Sequence, residues 1–268
     1  MTRYSLTMIA ATFLLAGCHA HKFKEGETLE KQSRPLQAAA SYESFAVNRP
    51  EAPEAPEAFF RAARLYADLG LCARSAPLYE RLLRHYPDFR EREKAERGLF
   101  VCPDYFPLDR AKVWKYGDSQ TGGQNATQIY SVTARGKGWM EADVSLLAGE
   151  TLVQKTERRY ELKDMDLFET TGPSTTLMLS YPVEAGKTWT TSEGGNRLFM
   201  RVDRTGVKVT VRGGDFDNCA KVRRAIAGMP SWIYEYYAPG VGRVLTTVAG
   251  DDFENRVTEL IDYEQEKD

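Results

Sequence analysis

The chain has 268 residues, with 36 Lys and Arg against 38 Asp and Glu, so its formal net charge is −2. A balance this even carries no basic footprint for nucleic acid, and 42% hydrophobic with 11% aromatic residues excludes wholesale disorder. All 3 histidines, His19, His21 and His85, precede Tyr86, so the long remainder lacks the commonest general base and metal ligand.

The first element is an address. Arg3 gives a positive start, and Leu6 to Leu15 is apolar or small. This run is too short to span a bilayer as a stable helix but fits the h-region of a signal peptide. It ends in Leu15-Ala16-Gly17-Cys18, which resembles the lipobox of bacterial lipoproteins. The resemblance implies a signal peptide over residues 1–17, cleavage before Cys18, lipidation of that cysteine and attachment to a membrane through it. Each buried acyl methylene would contribute about 0.8 kcal/mol to the anchor. His19 stands where an Asp would favour retention in the inner membrane, which points to the outer membrane. No later stretch is apolar enough for a transmembrane helix. The mature chain would face an oxidising compartment.

Residues 18–102 read as a helical segment with an internal repeat. Gln37-Ala-Ala-Ala-Ser-Tyr42-Glu-Ser-Phe45 recurs as Arg74-Ser-Ala-Pro-Leu-Tyr79-Glu-Arg-Leu82 at one constant offset, and Pro50 matches Pro87. Between the copies, Phe59, Ala62, Tyr66 and Leu69 mark one helical face, with Gly70 as its C-cap. Pro56 suits a first helical turn, where Glu57 favours the dipole. Ala63, Tyr66, Gly70, Ser75, Tyr79 and Pro87 together resemble the tetratricopeptide repeat. The resemblance covers one full repeat and the second helix of another, and Phe89 to Val101 adds one more helix. Two readings stay open. One is a concave face that binds a peptide or protein, with Tyr42, Tyr66 and Tyr79 as candidate contacts; the other is a spacer that holds the next domain off the membrane.

Cys72 follows Gly70, and Cys102 ends the next helix. In stacked hairpins, successive first helices end at the same edge, so a Cys72–Cys102 disulfide is the candidate pairing. It would stabilise by roughly 3–4 kcal/mol. Cys219 is left as a buried strand cysteine.

Residues 103–268 alternate with period two between Gly- and Asn-rich breaks. We expect thirteen short strands, with separate ones at Arg197–Val202 and Val207–Arg212. The pattern predicts antiparallel meanders in a sandwich or half-open barrel. The fold class is therefore α+β in two domains. An echo also appears here: Phe106-Pro107-Leu108-Asp109 to Lys112-Val-Trp114 recurs as Tyr181-Pro182-Val183-Glu184 to Lys187-Thr-Trp189. It implies two related sheet halves whose Trp residues plug the core. That motif, the Val209-to-Val222 stretch and Tyr234-Glu-Tyr236-Tyr237-Ala-Pro239-Gly240-Val241-Gly242 resemble uncharacterised β-rich domains of bacterial envelope proteins. The resemblance implies a fold class and a location but no reaction.

No catalytic constellation, metal site or cofactor motif emerges. Asp215-Phe-Asp217-Asn218 lacks the ligand series of a calcium loop, with Ile226 at its twelfth position, and reads as an Asx-rich turn. Gly240-Val-Gly242 is followed by no helix and reads as a turn. One aromatic patch stands out. Trp232, Tyr234 and Tyr236 share a strand face, and Tyr237 lies on the other with Ile233 and Glu235. They are candidates for contact with a partner strand or an apolar ligand, or an aromatic core with hydroxyls at its rim. The leading expectation is a non-catalytic scaffold or adaptor, outer-membrane-anchored through Cys18, facing the periplasm and binding an envelope protein. The alternative is a carrier or sensor of an apolar, lipid-like ligand in a β domain with an apolar lumen.

Overall fold

A computed structural model describes residues 21–266. The chain divides into two compact units at Pro103/Asp104. The lipobox and Cys18 lie outside the described residues.

The first unit holds five helices: α1 (Lys22–Lys31), α2 (Pro35–Asn48), α3 (Ala55–Asp68), α4 (Cys72–His85) and α5 (Arg92–Phe100). Each packs on the next in chain order. Pro56 sits in the first turn of α3, where its missing N–H costs nothing. Gly70 ends α3 at φ +72°, and Leu71 N–H reaches back to Tyr66 O at 2.8 Å, which satisfies a terminal carbonyl. The core is built from small and aromatic residues together, among them Ala62, Ala63, Tyr42, Phe59 and Tyr66. Ser75 is buried and donates to Ala63 O at 2.7 Å, which lets α3 and α4 approach closely. Cys72 and Cys102 are joined, with Cα atoms 5.7 Å apart.

The repeat tyrosines are core residues rather than a binding face. Tyr42 and Tyr66 are fully buried and Tyr79 nearly so. Tyr42 rests on Gly26 of α1 and Tyr79 on Gly98 of α5. Tyr42 OH donates to Glu30 at 2.6 Å and Tyr66 OH to Glu43 at 2.7 Å. The alternating small-and-aromatic pattern reads alike for a concave binding face and for a helix–helix interface. Here it is the interface.

The second unit is one twelve-stranded antiparallel sheet. Its strands are β1 (Ala111–Asp118), β2 (Ala126–Gly136), β3 (Trp139–Ala148), β4 (Thr151–Lys163), β5 (Asp166–Thr171), β6 (Ser174–Ser180), β7 (Thr188–Glu193), β8 (Asn196–Val211), β9 (Gly214–Ile226), β10 (Trp232–Ala238), β11 (Gly242–Ala249) and β12 (Glu254–Gln265). Sequential strands pair throughout β1–β6 and β7–β12, and β1 pairs with β12. The expected strands at Arg197–Val202 and Val207–Arg212 are one strand, β8. It passes through Gly206 (φ +73°) with successive register shifts against β9, which bend it without breaking its pairing. Asp215–Asn218 is likewise part of β9 rather than a turn. Asn218 takes φ +58° at the bulge, a conformation that Asn tolerates. The bent hairpin folds back along β12, where Gly213 N–H donates to Leu260 O at 2.9 Å.

The sheet curls into a nearly closed barrel. At the remaining join no backbone ladder connects β6 and β7; side chains do the work. Leu177 N–H donates to Thr191 Oγ1 (2.8 Å), Trp189 Nε1 donates to Leu177 O (3.1 Å), and Thr176 Oγ1 donates to Ser192 O (3.0 Å). The echoed tryptophans thus open the two six-strand halves, but only Trp114 is a core plug. It is buried and donates to Val241 O at 2.7 Å, whereas Trp189 is half-buried in the seam.

Candidate functional site

A sheet of twelve strands curls around an interior too wide for side chains to fill completely. Here it is filled on one side only. Phe106 stacks near Trp114 and Tyr160 at centroid distances of 5.5 and 4.8 Å, and Tyr116 meets Tyr130 at 5.3 Å. Beside these rings the lumen stays hollow, with a cavity of about 210 Å³. Every strand except β1 and β3 contributes a lining residue.

Register explains the lining. Side chains two apart on a strand share a face, and directly opposed residues share it too. Glu169 opposes Thr176, Met200 opposes Arg224, and Glu235, Thr246 and Thr258 stand in one cross-strand row. All of these point into the cavity.

Three ion pairs line it. Arg158 Nη1 donates to Glu169 Oε1 at 2.8 Å, Arg243 Nη1 donates to Glu235 Oε1 at 3.0 Å, and Arg224 donates to Glu193. Tyr237 OH donates to the other oxygen of Glu235 at 2.9 Å, and Arg243 Nη2 donates to Tyr130 OH at 3.2 Å. The Arg243 guanidinium lies 5.0 Å from the Tyr116 ring and that of Arg158 lies 5.4 Å from the Tyr130 ring. Arg158 Nε is buried with no hydrogen-bond partner among the described residues.

Electrostatics fix the charge states. Burial by itself raises the Glu235 carboxyl, but the Arg243 and Arg224 guanidiniums and the Tyr237 hydrogen bond outweigh it and hold it below its ordinary range. Burial pushes the Tyr160 and Tyr237 phenols well above theirs. At neutral pH Glu235 stays ionised and both tyrosines stay protonated, so none is poised for proton transfer near pH 7. What the arrangement can do is present fixed charges of both signs to a small guest.

The expected apolar lumen is therefore corrected. Six charged side chains line this cavity, and an apolar guest would strip water from them. A barrel interior can alternate polar-in and polar-out with the same sequence period, so the sign of the lumen was hidden.

The aromatic patch divides as its alternation requires. Tyr237 is fully buried beside the cavity and bonded to Glu235. Trp232, Tyr234 and Tyr236 lie on the opposite face under cations. Arg223 sits 3.7 Å from the Trp232 ring, and Lys221 sits 3.8 Å from that of Tyr234. Tyr236 OH donates to Glu254 at 2.5 Å. Tyr234 and Tyr236 are buried, so they offer little surface to a partner strand. Cys219 is buried as well, and burial pushes its thiol up to about 12. Among the described residues, no group of three or more His, Cys, Asp or Glu side chains is placed to hold a metal ion, and no helix is long and apolar enough to cross a membrane.

The helical unit carries its own open cleft of about 720 Å³. Phe23 of α1, Pro53 and Pro56 before and within α3, and Tyr86, Pro87 and Phe89 after α4 give it apolar walls. Glu57, Arg61 and Arg90 rim it, with Arg61 and Arg90 both paired to Glu57. Tyr86 OH donates to Pro50 O at 2.6 Å and fixes the α2–α3 loop that forms one wall. The repeat's terminal prolines, Pro50 and Pro87, were the sequence signal nearest to this cleft.

No family model matches the chain, and no curated protein matches it significantly. Three solved structures resemble part of it. A candidate lipoprotein from Parabacteroides distasonis aligns over 60% of this chain and 98% of its own at 19% identity, with a TM-score of 0.40. A candidate exported protein with a YmcC-like fold from Bacteroides fragilis aligns over 59% of this chain and 98% of its own at 16% identity, with a TM-score of 0.44. A β-barrel-like protein of a domain of unknown function, DUF1849, from Brucella abortus aligns over 60% of this chain and 99% of its own at 13% identity, with a TM-score of 0.30. Likenesses this weak assign neither a role nor a location to this chain.

Proposed function

We propose that this chain is a non-catalytic lipoprotein of the bacterial envelope that holds a protein segment in the cleft of its helical unit. The single observation that carries the reading is that cleft: about 720 Å³, walled by prolines and aromatics and rimmed by charge. Pockets with mostly apolar walls and a few fixed polar groups suit ligand capture. Rigid proline and aromatic walls lose little conformational entropy when a partner docks. The lipobox-like Leu15-Ala16-Gly17-Cys18 supports anchoring through Cys18, and His19 after it supports the outer membrane with the protein facing the periplasm. The absence of histidine after Tyr86 and the pairing of each lumen glutamate with an arginine both support a binding role without chemistry.

A photo-crosslinking amino acid placed at Asp88, in the cleft, tests this in membranes of the source bacterium. A discrete adduct with one protein is expected there, lost on Pro53→Arg and missing when the probe sits at Leu152 of β4. No adduct at Asp88, or the same adducts at both positions, overturns the reading. Cys18→Ser is expected to release the protein from the membrane fraction.

A further inference from the structure

We propose that the cavity in the β unit is a binding site for a small zwitterion, a compact molecule with one carboxylate and one ammonium group. The inference goes beyond the reading of the helical cleft and does not depend on it. The lining gives the ligand class by charge. Arg158, Arg224 and Arg243 balance Glu169, Glu193 and Glu235, so its net formal charge is zero. A guest with a single charge would carry that charge unbalanced into a partly desolvated lumen. An apolar guest would remove water from three ion pairs and return nothing. A net-neutral guest with both signs can exchange water for charge-assisted hydrogen bonds, which are about twice as strong as neutral ones.

The size agrees. The cavity of about 210 Å³ equals the liquid volume of about seven waters, room for a small amino acid together with a few retained waters.

One group also points to where the carboxylate would dock. Arg158 Nη1 is committed to Glu169, while its Nε is buried with no partner among the described residues. The Nε–Nη2 edge of a guanidinium is a fork that takes a carboxylate through two parallel hydrogen bonds. Nε is closed off from solvent, so a carboxylate reaches this edge when the guanidinium turns toward the cavity, which would give the unpaired donor a partner. The ammonium then falls to the carboxylates of Glu169 and Glu193, which line the same cavity. Thr176 and Glu193 place the cavity beside the β6–β7 seam, the one join without a backbone ladder.

Isothermal titration of the full chain with L-alanine and β-alanine tests the proposal, with propionate, propylamine and glucose as controls. We expect at least one zwitterion to bind with a dissociation constant at or below about 1 mM, and the singly charged controls to bind at least about tenfold more weakly. Arg158→Gln is expected to weaken binding by about tenfold or more. Thr258→Met fills the cavity without touching an ion pair and is expected to abolish binding. Circular dichroism confirms that each variant is folded. Pro53→Arg, in the helical cleft, is expected to leave the titration unchanged, so the two sites fail or stand separately. No heat from either zwitterion up to about 10 mM, binding that survives both lumen substitutions, or binding of glucose in place of the zwitterions would overturn the proposal.

Discussion

Glu235 and Arg243 form an ion pair at 3.0 Å on neighbouring strands, with Tyr237 and Tyr130 completing the bonds of both partners. Glu235 is buried and Arg243 half-buried, so the pair matters most when one member is removed. Glu235→Gln leaves the Arg243 charge without its partner, and we expect a loss of about 3–5 kcal/mol in chemical denaturation. The same pair sets an acid limit. The folded Glu235 carboxyl lies below the ordinary value of 4.5, so its contribution is present above about pH 4.5 and fades as pH falls through the folded value. Thermal melts of the wild type should drop on acidification below that point. In Glu235→Gln this part of the slope should be missing; an unchanged slope would contradict the assignment.

Gly26 and Gly98 are each pressed against a repeat tyrosine. A Cβ on Gly98 would stand 2.5 Å from Tyr79 Cζ, and one on Gly26 would stand 2.6 Å from Tyr42 Cε1. Alanine would return about 1 kcal/mol of helix propensity, but overpacking costs about 1–3 kcal/mol. The ring is locked in a core and cannot swing away cheaply. We expect Gly98→Ala to destabilise on balance. The decisive measurement is a double-mutant cycle with Tyr79→Leu, where relief of the clash should make the pair more stable than the sum of its parts.

These contacts mark what the sequence could and could not tell. The pairing of Tyr42 with Tyr79, and of Trp114 with Trp189, was visible as repetition, and both pairs do occupy related places. Repetition does not say which face a ring turns to, so the tyrosines stood as candidate contacts in one of two open readings, whereas they are core. The strands were visible because alternation is local. The lumen was not, because Arg158, Glu169, Glu193 and Arg224 look like ordinary outward-facing charges until twelve strands close around them. Glu235 alone carried a hint: a single acid between Tyr234 and Tyr236, in a strand otherwise apolar on both faces.

The disulfide between Cys72 and Cys102 has a sequence separation of 30. Closing a loop of that length restricts the unfolded chain by roughly 3–4 kcal/mol. Cys72→Ser should lower the stability of the helical unit by that order. If the double variant Cys72→Ser/Cys102→Ser melts at the wild-type temperature, the bond contributes nothing.

Cys219 is the buried free thiol of the β unit. A thiol pushed up to about 12 holds almost no thiolate at pH 8. Native protein should therefore resist alkylation at Cys219 by iodoacetamide, while protein in guanidinium should be labelled there at once. Labelling at equal rates in both would show that the β9 bulge opens freely.

The two echoed tryptophans make the last prediction a comparison. Trp114 is buried and donates to Val241 O, so Trp114→Phe should leave a buried carbonyl unpaired and weaken the whole β unit by about 1–3 kcal/mol. Trp189 donates to Leu177 O across the seam between β6 and β7, while Thr191 accepts from Leu177 N–H. Local openings cost less than global unfolding where few backbone bonds must break. Trp189→Phe should thus leave the global melt nearly unchanged but speed hydrogen exchange at Leu177, and Thr191→Val should speed it further. Equal effects of Trp114→Phe and Trp189→Phe on the melt would mean that the seam is as firmly closed as the β1–β12 ladder, and that the cavity has no preferred side from which to fill.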